Sequence, residues 1–166
     1  MDFTEIVREH QSMVFSLAYH MLRNSASAED VAQEAFLRLY QDRAQIVSDQ
    51  HLVHWLRRTV SHRCLDILRR PINRPHLDVS ELDLPAEPMS ADPFADRMLR
   101  RLVSALSPTA RAVIVLRYQE DLEPREIAEL LDLPLATVKS RLQRALALMR
   151  AKLTQQEGPL YGAARA

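Results

Sequence analysis

An all-α chain of two small helical domains joined by an acidic, proline-rich flexible linker is predicted by three features of the 166-residue sequence. Both glycines, Gly158 and Gly162, lie in the last nine residues, so residues 1–157 must turn without glycine. That Leu/Ala/Arg/Glu-rich body suits helices, with proline as its punctuation. Prolines then gather at Pro71, Pro75, Pro85, Pro88 and Pro93, where Asp78, Glu81, Asp83, Glu87 and Asp92 face only Arg74. Such a stretch buries little and stays extended. On either side of it, apolar residues recur at helical spacing.

The first domain spans residues 1–70. Phe3 to Leu22 forms a helix with Ile6, Val7, Val14, Leu17, Ala18 and Met21 inward. Asn24-Ser25-Ala26-Ser27 breaks it, and Ser27-Ala28-Glu29-Asp30 resembles a capping box, so a second helix is expected from Ser27 to about Gln41. A third runs from about Gln50 to Arg70 with Leu52, Leu56, Val60, Leu65 and Leu68 inward, closed by Pro71. The linker is placed at 71–94. The second domain, 95–153, holds helices over Ala95–Leu106, Pro108 to about Gln119, a short one from Pro124, and Leu135–Leu153. Residues 154–166 are expected to be a flexible tail.

Composition excludes several classes. Phosphate-cradling loops, nucleophile elbows and dinucleotide fingerprints need glycine where backbone meets ligand. One cysteine, Cys64, is too few for a disulfide or a cysteine-based zinc site. His51 and His54 lack a third ligand, and Ser61, His62 and Asp66 on one helix lack catalytic geometry. No enzyme, catalytic residue, metal, cofactor or small-molecule substrate is therefore expected. With no signal peptide and no apolar run of transmembrane length, a soluble, cytoplasmic protein is expected.

Three segments carry chemistry. Glu123 to Arg141 reads as a short helix, a tight turn at Asp132-Leu133-Pro134 and a second helix, which is the helix-turn-helix pattern. On the last helix Val138, Leu142, Ala145, Leu146, Met149 and Leu153 face inward, leaving Ala136, Thr137, Ser140, Gln143 and Arg144 outside with Lys139 and Arg141 on the flanks. From Leu133 to Leu153 there are five basic residues and no acidic one, a face suited to DNA. Arg57, Arg58, Arg63, Arg69 and Arg70, opposed only by Asp66, form a second basic cluster able to hold a DNA backbone. Trp55 beside it reads better as a core anchor. Asp30, Gln33, Glu34 and Leu37 lie on the outside of the second helix, either as plain solvated surface or as a protein-docking patch.

Taken together these segments resemble the extracytoplasmic-function (ECF) group of bacterial RNA polymerase sigma factors over about residues 3–70 and 95–153. Residues 28–40 look like the family's "AEDLVQE-F-R-Y" stretch. Trp55-Leu56-Arg57-Arg58 through Asp66-Ile67-Leu68-Arg69-Arg70 looks like its "WL-R…D-LRR" end. Glu126 to Leu131 and Thr137 to Ala145 look like "EIAE-L…TVKSRL-RA". The resemblance implies that residues 1–70 are sigma region 2 and residues 95–153 are sigma region 4. It implies core polymerase binding by Asp30, Gln33, Glu34 and Leu37, through the clamp coiled coil of the largest subunit. It implies minus-ten DNA contacts by Arg57, Arg58, His62, Arg63, Asp66, Arg69 and Arg70. It implies minus-thirty-five contacts by Thr137, Lys139, Ser140, Arg141, Gln143 and Arg144. Members are usually held by an anti-sigma factor, often anchored in a membrane.

This chain departs from the pattern at three places. His62 stands where many relatives have Asn, and Asp132 and Ala136 replace family glycines. A stand-alone helix-turn-helix transcriptional regulator is the alternative function. Balanced charge, 22 basic against 22 acidic, favours a protein that binds promoter DNA only with polymerase. Residues 71–93 span at most about 75 Å, comparable with about 70 Å for two turns of B-DNA.

Overall fold

The computed structural model describes residues 2–70 and 93–162, with side chains described to residue 70 and over 97–155. Among these residues there are seven α-helices, one short 3-10 turn and no strand. Helix α1 (Phe3–Leu22) is capped by Asp2 and ends where Arg23 turns left-handed at φ 57°. Helix α2 (Ser25–Asp42) follows at once and passes into the 3-10 turn Arg43–Gln45. Helix α3 (Asp49–Leu68) starts from the Ser48 side chain, which accepts the His51 N–H at 3.1 Å.

The expected helix start at Ser27 is corrected. Asn24 is the cap, its Oδ1 accepting the Ser27 N–H at 2.8 Å, so Ser25 and Ala26 are already helical. An Asn in extended backbone satisfies an orphan N–H as well as a Ser does, and here it comes first. Helix α3 likewise ends at Leu68, before the expected Arg70, and Leu68 is only half-buried. Its inward stripe instead takes in Ser61, Cys64 and Leu65 after Val60.

In the second half, α4 (Pro93–Ser104), α5 (Pro108–Tyr118), α6 (Pro124–Leu131) and α7 (Leu135–Gly162) follow in order. Ala112, Val113, Ile114, Val115 and Leu116 are all buried, so α5 is wrapped by its neighbours, among them α4, α6 and α7. Helix α6 begins on a capping box in which the Glu126 carboxylate accepts the Glu123 N–H at 2.7 Å. It ends at Asp132, left-handed at φ 54° and ψ 44°, a conformation that Asp tolerates better than most residues. Helix α7 runs past the expected end at Leu153 to Gly162, so most of the segment expected as a tail is helical. The linker expected at 71–94 lies almost wholly outside the described residues.

The two halves do not stand apart. Helix α1 packs on α2 and α3, and both α1 and α3 also meet α5. Helix α3 meets α6 as well. The Arg111 guanidinium on α5 reaches back to the Met21 carbonyl at 2.9 Å, and Gln119 donates to Ser16 Oγ at 2.9 Å. Burial at this seam pushes His20 down from its ordinary 6.5 to about 4, helped by the cations Arg23 and Arg100.

Candidate nucleic-acid and protein-docking surfaces

The last helix carries the outward face expected of it. Val138, Leu142, Ala145 and Met149 are buried against the second-half core, while Lys139, Gln143 and Arg144 are exposed. Thr137, Ser140, Arg141 and Arg144 come together with Ala136, Leu148 and the Leu106–Ala110 turn around one open groove. Lys139 and Gln143 do not line that groove. Small side chains at Ala136 and Ser140 leave room for close approach, and the cations beside them have no acidic partner among the described residues.

The basic cluster on α3 is arranged differently. Trp55, half-buried, lines a shallow depression of about 290 Å³ with Arg38, Arg58, Thr59, His62, Arg63 and Asp66. Planar and cationic groups thus surround a space large enough for part of a base. Several of these side chains are already engaged. Arg57 Nε donates to Glu120 Oε2 at 2.8 Å, and that carboxylate is almost wholly buried. Arg58 makes a fork to Asp132, Nη2 to Oδ2 at 2.6 Å and Nη1 to Oδ1 at 3.1 Å. His62 Nε2 stands 2.9 Å from the Leu130 carbonyl, an acceptor, so the ring carries its proton on that nitrogen. Arg69 reaches Thr109 Oγ1 at 3.2 Å. Asp66 and Arg70 are exposed.

On α2, Asp30, Gln33 and Leu37 are exposed, Leu37 at 66%. Glu34 is half-buried and accepts from Arg63 Nε at 2.7 Å while pairing with Arg38 at 3.0 Å. One carboxylate therefore joins the α2 patch to the α3 cluster. A solvent-facing leucine within an acidic-amide surface suits a protein partner. The sequence carries no signal for Glu120, since a lone carboxylate after a helix end means nothing until its partner Arg57 is known.

Residues 6–71 match the family described as Sigma-70 region 2, and residues 96–149 match Sigma-70, region 4. The chain is 34% identical over 165 residues to the probable RNA polymerase sigma factor RfaY of Xanthomonas campestris pv. campestris, covering 93% of this chain. It spans 41% of that relative's length. It is 30% identical over 165 residues to the ECF RNA polymerase sigma factor SigW of Bacillus subtilis, covering 91% of this chain and 88% of that one. Among solved structures, the sigma factor RpoE of Bartonella quintana, in complex with the anti-sigma factor NepR, shares the fold with a TM-score of 0.73. The match has 18% identity and covers 92% of this chain and 97% of that one.

Proposed function

The chain belongs to the ECF group of RNA polymerase sigma factors, a family of transcription-initiation factors rather than of known enzymes, and we propose how its surfaces divide that work. Residues 1–70 act as region 2 and residues 95–153 as region 4. Asp30, Gln33, Glu34 and Leu37 dock on core polymerase, at the clamp coiled coil of its largest subunit. Arg57, Arg58, His62, Arg63, Asp66, Arg69 and Arg70 serve the minus-ten element. Thr137, Lys139, Ser140, Arg141, Gln143 and Arg144 serve the minus-thirty-five element.

The observation that carries this reading is the chemical separation of the surfaces. The α2 patch is acidic with an exposed leucine, whereas the outer face of α7 between Leu135 and Leu153 is basic and free of acid. Hydroxyls and an amide there reach base edges, and the cations hold phosphates. An anti-sigma protein restrains the factor in the cell, as the complex of RpoE with NepR suggests by analogy.

Run-off transcription tests the division. Core polymerase with this protein initiates at one promoter, and neither does so alone. Arg144→Ala weakens dependence on the upstream element by about 1–3 kcal/mol while core binding holds. The pair Asp30→Lys and Glu34→Lys does the reverse. The same defect from both substitutions, or footprints of the free protein at symmetric sites, overturns the reading in favour of a stand-alone regulator.

A further inference from the structure

We propose that this chain carries an internal latch: Asp132 and the terminal carbonyls of α6 hold Arg58 and His62, closing the free protein and withholding both side chains from DNA. The inference rests on the assignment of α3 to the minus-ten element. The geometry at the end of α6 carries it. A helix C-terminus presents carbonyl oxygens without intrahelical donors and a partial negative charge. Arg58 Nη1 lies 3.2 Å from the Glu129 carbonyl and 3.1 Å from that of Leu130, besides its fork to Asp132. His62 donates to the Leu130 carbonyl at 2.9 Å and stands 3.7 Å from Asp132 Oδ2. Two cationic or donor groups of the first half thus satisfy the negative end of a helix in the second.

The sequence points to the same spot independently. His62 and Asp132 are two of the three positions at which the chain departs from the pattern it resembles, and here they face each other. Asp132 takes a left-handed conformation that glycine would occupy more easily, so the carboxylate is held against a backbone cost. The arrangement is also lopsided. Arg57, Arg58, His62 and Arg69 all engage the second half, whereas the α7 groove around Thr137, Ser140, Arg141 and Arg144 remains open. Closure occupies the polar groups of Arg57, Arg58, His62 and Arg69 on one DNA surface and leaves the other available. These contacts are polar and partly exposed, so the latch is of the kind that opens reversibly and weakens with salt.

Spin labels on Ala26→Cys and Ala147→Cys, both at exposed positions, report the separation of the halves in the full chain, Cys64 being buried. The parent gives a narrow, short distance distribution at low salt. Asp132→Gly keeps the left-handed turn and removes the carboxylate. It raises the open-to-closed ratio about three- to tenfold, and Asp132→Asn does so to a lesser degree. Arg58→Lys, which keeps a cation against the α6 carbonyls and Asp132, retains most of the narrow distribution, whereas Arg58→Glu, which sets a carboxylate against those acceptors, broadens it. A broad distribution in the parent, or one unchanged by Asp132→Gly, overturns the latch. The readout uses neither polymerase nor DNA, so it fails or stands apart from the transcription assay. With polymerase, Asp132→Gly speeds minus-ten engagement and leaves upstream-element affinity alone. Equal gains at both elements refute the asymmetric masking.

Discussion

His20 offers a direct measure of how tightly the seam between the halves is closed to water. Its imidazole is held neutral, with its titration moved from 6.5 to about 4 by burial and by Arg23 and Arg100. The unfolded chain takes up a proton near 6.5 and the folded one does not until about 4. The stabilisation is therefore complete above 6.5 and is lost as the pH falls through that window. Full transfer of the gap would be worth about 3.4 kcal/mol. The ring remains partly open to solvent, which screens the neighbouring cations, so about 2 kcal/mol is the working figure. For a chain of this size that is about 4–8 °C in melting temperature. The perturbation is His20→Gln, which cannot titrate, compared with the parent by thermal melts from pH 7 to pH 4. The variant loses less stability on acidification, whatever its stability at pH 7. The imidazole signal that disappears in the variant identifies His20 by NMR and gives its midpoint. Parallel acid limbs in the two proteins, or a midpoint near 6.5, refute the reasoning.

Other outcomes follow from particular residues. Cys64 is buried and its thiol is pushed up to about 12 by burial, so an aromatic disulfide reagent reacts with it only at the rate of unfolding. Rapid labelling in native buffer contradicts the packing of α3. Asn24→Ala lowers stability by about 1 kcal/mol by leaving the Ser27 N–H without its acceptor, whereas Ser27→Ala has little effect on denaturant midpoints. Equal losses from the two would return the cap to Ser27.

Much of the fold is legible in the sequence because its signals are local. The bounds of α1 follow from the 3.6-residue spacing between Phe3 and Leu22, and α5 and α6 start at the prolines that mark them. The cap of α2 is misplaced because Asn24 and Ser27 both qualify chemically, and only the turn at Arg23 decides between them. The outward face of α7 is equally readable, since one helix fixes which side chains share a side. The state of the α3 cluster is not readable. Its arginines look free in a helical projection, but Glu120 and Asp132, 63 and 74 residues away from their partners, occupy two of them. Long-range pairing of this kind leaves no periodic trace. In the sequence Asp132 is only an unusual residue at a turn, and its role depends on Arg58, 74 residues away.

Among the described residues, Arg23, Asp121 and Asp132 take left-handed backbone where glycine is the usual occupant. A chain that bends this way without glycine has fewer conformers available when denatured, but each left-handed residue bears a steric cost in the folded state that exceeds this saving. The corners of this fold are therefore kept by the packing on either side of them, and the strain they carry is drawn from that packing.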